Sequence, residues 1–367
     1  MKNFKIILFI FISCFFFQCI FSNNIKKEQE LKQEIQKFIF DCLSSKDRNI
    51  KIETIKAIGE LKDILYLSKL KSILKTEQDE EIKLEIINTL IKFGDNTEVP
   101  FVIKILQEKP NFSIDAKPKE RVMALKKEIL RIKAAKVIAE TKNKEYINIL
   151  KKIISDKNDS GRVTDEILIS LYKLGYEEEP MKIFLDGLNS NDRYIKLKAS
   201  EVIGELKIST ASYKLYQLLK DPDKDIRAAS CLALAKIGDI NYVPAIRELL
   251  LDKSPIVRIN ACKAIGLFKD SKFIPQIKQL LKDENGLVKL SASIFLMQLN
   301  DYSYDYFLFD ALDSTDFDAK ILSLNALSEL GKLSHLNKLK NVFIKETNPI
   351  VKINISKTIL KIFQKEE

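Results

Sequence analysis

Apolar residues recur along this chain in short stripes of helical spacing, and the stripes themselves recur about every 31 residues. Each stripe contains an anchor position: Lys51, Lys83, Arg131, Thr164, Lys196, Arg227, Arg258, Lys289, Lys320 and Lys352, separated by 32, 48, 33, 32, 31, 31, 31, 31 and 32 residues. The residue before the anchor is apolar in all ten stripes, from Ile50 and Ile82 to Val288, Ala319 and Val351. Seven places after it stand Ile58, Leu90, Ile138, Leu171, Ile203, Leu234, Ile265, Leu296, Leu327 and Ile359. Three places after it lie mostly small residues such as Ala134, Ala199, Ala261 and Ala292. Steps of four put these columns on one face of an α-helix, and small residues in mid-stripe let a neighbouring helix come close.

A second helix is predicted to begin about sixteen residues after each anchor, as in Val243-Pro244 and Ile274-Pro275. Its core column is Leu70, Val102, Leu150, Ile183, Leu215, Ile246, Ile277, Leu308 and Leu339. Pro100, Pro180, Pro244 and Pro275 fall in its first turn, where a missing N–H costs nothing, and Pro222, Pro255 and Pro349 stand at the entrance to the anchor helix. No such repeat can bury its stripe alone, so stability must come from stacking. The expected fold is all-α, an α–α superhelix of about ten two-helix repeats over residues 23–367. It should begin with an amphipathic helix around Leu31, Ile35, Phe38 and Ile39. The helix of Ile355, Ile359 and Ile362 should close it, with Lys361, Lys365, Glu366 and Glu367 solvating an exposed end. The one long interval contains Pro110, Phe112 and Pro118, and predicts an inserted loop at about Gln107–Arg121, in the turn between two helices of one repeat, projecting from a rim.

Two anchor segments read Asp221-Pro-Asp-Lys-Asp-Ile-Arg227 and Asp252-Lys-Ser-Pro-Ile-Val-Arg258, with Asp283 and Lys289 in the same relation and Glu346 and Lys352 a looser match. This pattern resembles the HEAT-repeat family, in the short bacterial variety also seen in phycobilin-lyase-like proteins, over about Ile25 to Phe363. The resemblance implies a HEAT/armadillo-type solenoid whose anchor helices line the inner surface. It also suggests a structural ladder of Asp221, Arg227, Asp252, Arg258, Asp283 and Lys289 stitching neighbouring repeats, with an anion site as the functional alternative. Lys or Thr replaces Arg in most repeats, and Thr164 and Lys196 lack the partnering Asp. The family serves scaffolding, transport, nucleic-acid binding and a few enzymes, so the resemblance speaks for fold and hardly for function.

The first 22 residues stand apart: Lys2 and Lys5 precede an unbroken apolar run from Ile6 to Phe17. This reads as a secretory signal cleaved before Asn23, placing the protein in the periplasm or cell envelope. A retained anchor and a lipoprotein, modified at Cys14 or Cys19, are the competing readings. Membrane contact is expected only through this segment, if it is retained or lipidated. Without it the chain has 59 basic and 51 acidic residues, with Glu and Asp interleaved among the lysines. That balance describes a solvated helical surface and makes nucleic acid an improbable partner.

Little chemistry is legible. The single histidine, His335, reads as a surface residue in a turn, which leaves no common nitrogen-rich metal site and no match to the family's iron hydroxylases with their repeated His-Glu pairs. Cys231 and Cys262 fall at equivalent places in adjacent repeats, about 10 Å apart by helix packing and too distant for a disulfide, so they read as buried fillers. Cys42 has no base nearby in sequence. No phosphate loop or nucleophile motif occurs, and no cofactor is expected.

The columns two, five and nine places after each anchor should face the inner surface. They are charged early, as in Glu53, Lys56, Glu60, Lys198, Glu201 and Glu205, and less so later: Ala229, Leu232, Asn260, Leu267, Ser291, Ile294, Gln298, Leu322 and Asn325. A mixed apolar and polar wall suits a peptide or helix. The expected function is therefore a non-enzymatic exported scaffold binding a protein or peptide partner. The alternatives are a lyase-like enzyme handling a cofactor or chromophore in the same concavity, and a nucleic-acid-binding repeat protein.

Overall fold

The computed structural model describes residues 26–110, 117–155 and 159–366. The segment read as a signal lies outside them. The described residues form α-helices joined by short 3₁₀ turns, with no strand among them. The anchor helices are α2 (Arg48–Leu61), α4 (Glu80–Lys92), α6 (Pro118–Glu140), α8 (Gly161–Lys173), α10 (Arg193–Leu206), α12 (Lys224–Ile237), α14 (Pro255–Phe268), α16 (Gly286–Gln298), α18 (Phe317–Leu330) and α20 (Pro349–Glu366). Between them run α3 (Leu67–Thr76), α5 (Val99–Gln107), α7 (Ile147–Ile154), α9 (Glu178–Gly187), α11 (Ser212–Leu218), α13 (Val243–Glu248), α15 (Ile274–Leu280), α17 (Tyr306–Asp313) and α19 (Leu336–Lys345), and α1 (residues 26–43) precedes α2. The fold class is all-α, of the α–α superhelix kind.

Residues seven after the anchor are buried in all ten repeats, and so are those three after it, from Thr54 and Ile86 to Ser323 and Ile355. The column before the anchor is looser, because Ile195 is exposed and Ile50 and Leu130 are only half-buried. In the second helices every core residue is buried except Ile183, which is 43% exposed while Phe184 is buried in its place. The helix register slips by one in this repeat, where Tyr176 stands in the place of the capping acid or amide; Ile208 makes the same kind of replacement in the next repeat without a slip, and Leu215 stays buried.

That turn follows a rule. Eleven places after the anchor the backbone is left-handed at Lys62, Gly94, Lys142, Gly175, Lys207, Gly238, Lys269 and Asn300. The next residue, as Asp63, Asp95, Asn143, Asp239, Asp270 or Asp301, accepts a hydrogen bond from the amide two residues on. The left-handed residue ends one helix and the carboxylate or amide starts the next turn, reversing the chain in a few residues. The anchor helices are capped at their start by Asp79, Asp192, Asp223 or Asn285, each accepting from two first-turn amides.

The chain divides into two compact units, one from Lys62 to Ser323 and the other made of residues up to Leu61 together with Leu324–Glu367. In the first, α4, α6 and α8 pack side by side, as do α10, α12, α14 and α16. Adjacent repeats are bridged by buried ion pairs. Arg227 grips Asp252 with two parallel hydrogen bonds of 2.9 Å, and Arg258 grips Asp283 with two of 2.8 Å. The remaining Nη1 of each arginine donates to its own repeat, Arg227 to the carbonyl of Asp221 and Arg258 to that of Asp252. Asp221 receives Lys196 Nζ at 3.5 Å, and Lys289 acts on Asp283 through its charge. Arg131 and Asp159 form a further bidentate pair across 28 residues, which an exact six-residue rule misses because Asp159 stands five before its anchor.

In the other unit, α2 packs on α20 and the rings of Phe38 in α1 and Phe343 meet edge to face at 5.2 Å. The first described helix pair is thus stacked on the last. This corrects the expectation of an exposed final helix: Ile355, Ile359 and Ile362 are fully buried, and Lys361 pairs with Glu60 and Glu329.

The insertion is also corrected. It lies between α5 of one repeat and α6 of the next, not inside a repeat, and residues 118–121 are helical rather than loop. Pro118 occupies the first turn of α6, and Glu120 turns back to accept the Lys117 amide at 2.9 Å, a combination that starts a helix. α6 therefore has 23 residues against the 14 of α10, α12 or α14.

Candidate functional site: a groove across α10, α12 and α14

Because the three helices are parallel neighbours with small residues at their contacts, their outward columns form a shallow groove of about 450 Å³. A methyl group built on Gly204 of α10 would stand 2.6 Å from Cα of Ala233, so the two helices touch nearly backbone to backbone. The floor is Ala228, Ala229, Leu232 and Ala233 of α12, with Leu197 of α10 and Ile256 of α14 as walls. Glu201, Glu205, Asp225, Lys236 and Asn260 make the polar rim.

The rim's charges are not equivalent. Burial pushes the Glu205 carboxyl up, but the 2.6 Å hydrogen bond from Lys173, with the attraction of Lys173 and Lys236, outweighs it and holds the group below its usual range. Asp225 is taken up by Arg193. Glu201 has neither hydrogen bond nor ion pair among the described residues and is exposed. Asn260 donates to the Ile256 carbonyl at 2.9 Å and keeps its amide oxygen turned outward from that bond.

Of the residues singled out in sequence, the groove brings together Ala229, Leu232 and Asn260. Leu267 is exposed further along α14, and Ile294 and Gln298 are half-buried on α16, Gln298 lying over Gly266. Ser291 is only 3% exposed and turned into the helix packing, so it offers nothing to a partner. Leu322 is half-buried on α18, while Asn325 belongs to the other compact unit. Leu197 and Ile256 were missed because they stand one place after and two before their anchors, outside the three columns expected to face the inner surface.

Among the described residues no group of three or more His, Cys, Asp and Glu side chains is arranged to hold a metal. His335 is buried, not on the surface, and its Nδ1 accepts the Lys332 amide at 2.8 Å. Cys231 and Cys262 are free and fully buried, and burial pushes the Cys262 thiol up to about 12 and that of Cys231 higher still. Cys42 is free and buried too, its thiol raised by burial and by Asp41. Such thiols are poor nucleophiles. The groove offers shape, apolar surface and one free carboxylate.

The family model for HEAT repeats matches residues 181–255 and 243–328, which span the groove. No curated protein sequence matches the chain. Among solved structures, human deoxyhypusine hydroxylase in complex with glycerol is 14% identical with a TM-score of 0.32, over 73% of this chain and 96% of that one. The CpcE–CpcF complex of phycocyanin lyase from Nostoc sp. PCC7120 is 18% identical with a TM-score of 0.36, over 71% and 94%. The karyopherin Kap121p bound to Nup53p is 12% identical with a TM-score of 0.37, over 91% of this chain and 42% of that one. With every TM-score below 0.5, these likenesses say nothing of function. The matched repeats, the ladder of Arg227–Asp252 and Arg258–Asp283, and the buried columns agree: residues 181–328 are HEAT repeats, and the other described helix pairs continue the same column pattern.

Proposed function

We propose that the chain is a non-enzymatic scaffold, exported to the periplasm or cell envelope, that holds a segment of a partner protein in the groove across α10, α12 and α14. The observation that carries this reading is the groove itself: an alanine-floored channel with Leu197, Leu232 and Ile256 reachable from outside and a polar rim to fix orientation. Export rests on the apolar run Ile6–Phe17 behind two lysines. A bound helix or extended segment would insert one or two aliphatic side chains between Leu197 and Ile256 and set a cation against Glu201. Contacts of this kind give moderate affinity, because a few central residues carry most of it.

The test is cross-linking in intact cells from a photoreactive residue placed at Asn260. A protein partner should be captured by the otherwise unaltered chain. Capture should fall at least tenfold when Leu232→Glu is added, while Leu267→Glu, outside the groove, leaves it intact. Equal capture with Leu232→Glu overturns the assignment.

A further inference from the structure

The extension of α6 has a feature the other anchor helices lack. It starts thirteen residues before its anchor where α10, α12 and α14 start three before theirs, adding about 15 Å of helix at 1.5 Å per residue. Its inward face is Ala124, Glu128 and Arg131, all buried at helical spacing. On the outer side lie Val122 and Ile129 with Leu125 on their flank, between 43% and 52% exposed, while Met123, 55% exposed, lies on the other flank of the helix. Single exposed aliphatics are ordinary, but three in a row on one uncovered side of a helix are not.

Among the described residues, the charges along the edge of the stripe are basic. Lys119 and Lys126 flank it, exposed, with no ion pair or hydrogen bond among the described residues. The two acids of the segment point elsewhere: Glu120 is spent on the Lys117 amide, and Glu128 is buried and faces Arg162 at 3.5 Å. A second copy would bring these lysines against their own kind. The stripe is convex, a single row of aliphatic side chains with no aromatic or arginine anchor, which suits a fluid surface better than a shaped protein pocket.

We propose that the first half of α6, Pro118–Ile129, lies in the interface of an anionic lipid surface. Val122, Leu125 and Ile129 enter the acyl boundary, and Lys119 and Lys126, side by side along one edge of the stripe, reach up to the phosphates. This is contact in the plane of the membrane, and no described helix is long and apolar enough to cross one. It is separate from the groove, and from any contact made by the first 22 residues.

The test is cosedimentation of the purified full chain with vesicles of phosphatidylcholine alone or with 30% phosphatidylglycerol. The chain should bind the anionic vesicles, and at least fivefold less at 0.5 M salt. Val122→Glu/Leu125→Glu/Ile129→Glu should lower binding at least tenfold, and Lys119→Glu/Lys126→Glu should abolish the preference for phosphatidylglycerol. Both should melt like the parent, since all five side chains are exposed, and Leu232→Glu in the groove should bind vesicles unchanged. Failure of the parent chain to bind anionic vesicles, as expected if the stripe serves an acidic protein, overturns the proposal. So does equal binding by the triple variant, which would place the contact elsewhere in the chain.

Discussion

Asn354 of α20 donates its side-chain N–H to the Glu53 carboxylate of α2 at 3.0 Å, across 301 residues of sequence. Beside it Gln364 donates to the Leu61 carbonyl at 3.1 Å, and Lys357, its side chain only 5% exposed, meets Glu60 at 2.9 Å. The joint between the first and last described helix pairs is therefore polar as well as apolar.

Removing Glu60 should loosen that joint. Lys357 would be left buried with its main acceptor gone, while Glu60 itself, nearly half exposed, loses little. Glu60→Gln is expected to cost about 1–3 kcal/mol. Lys357→Met in the same chain should recover most of it, because both charges then disappear together. Urea denaturation of the two variants and the parent measures this, and additive losses would show that the pair is not coupled.

The arginine ladder should set the response to acid. Burial alone raises the carboxyls of Asp252 and Asp283, but the forks of Arg227 and Arg258 and the capping amides of Ser254 and Asn285 reverse this and hold both below their usual range. Asp95, hydrogen-bonded by Lys71 and Thr97, is lowered to about 2. A lowered folded-state value means stability that is present above about pH 4 and lost as pH falls through the folded value. Asp95→Asn should thus be less stable than the parent at pH 6 and indistinguishable near pH 2. Arg258→Lys keeps the charge and loses the fork, so it should cost roughly 3 kcal/mol at pH 7. Thermal melts from pH 2 to pH 7 read both.

The repeats were legible because burial works on columns: ten residues seven after the anchor are all apolar and all buried. What sequence missed lies where two columns compete or a helix starts early. Phe184 replaces Ile183 through a one-residue slip of α9 that the column pattern does not mark. The Lys117-Pro118-Lys119-Glu120 start is a helix signal, yet Pro118 next to Pro110 and Phe112 in the long interval reads equally as part of a loop. The stacking of α1 and α2 on α19 and α20 left no trace in the pattern, because a buried isoleucine reads alike whether its cover comes from the next repeat or from the other end of the described chain. The groove was half legible. Column position found Leu232 and Asn260, but which columns stay uncovered depends on how closely neighbouring helices approach.

Glu166 should act in the opposite sense to the ladder acids. It is 8% exposed on α8, and burial raises its carboxyl despite the attraction of Lys136, Lys198 and Lys173. A raised folded-state value favours folding below the unfolded value, and that contribution is lost as pH rises through the folded one. Glu166→Gln should therefore gain stability over the parent at pH 7, and the gain should shrink to nothing by about pH 3. A loss at pH 7 would mean that the 3.5 Å pair with Lys136 outweighs the burial.

The left-handed turn residues give a stabilising change. Lys269 ends α14 at φ 51°, a region where a side chain costs about 1 kcal/mol and glycine nothing. Gly94, Gly175 and Gly238 fill the same place in other repeats. Lys269→Gly should raise stability, offset in part by the freer unfolded chain, for a net gain of about 0.5 kcal/mol. A second change, Lys207→Gly, should add to it independently, and chemical denaturation of the two singles and the double measures both.

Gly204 tests the helix approach on which the groove depends. Its missing side chain lets α10 lie against α12, where a Cβ would meet backbone Cα of Ala233 at 2.6 Å and its Cβ at 2.8 Å. Neither atom can swing aside, so Gly204→Ala must push the helices apart. Helix propensity favours alanine by about 1 kcal/mol, while overpacking in a rigid contact costs typically 1–3 kcal/mol. The two meet on one residue, and the fixed backbone decides for the loss: the variant should melt lower than the parent. Gly59 of α2, eight places after its anchor as Gly204 is after its own, is the comparison. Because α12 is the groove floor and α10 one of its walls, Gly204→Ala should also widen it and weaken capture from Asn260 more than its effect on melting alone would suggest. Unchanged melting would mean that the helices slide freely, and a groove with mobile walls could not hold Leu197 and Ile256 at a fixed spacing.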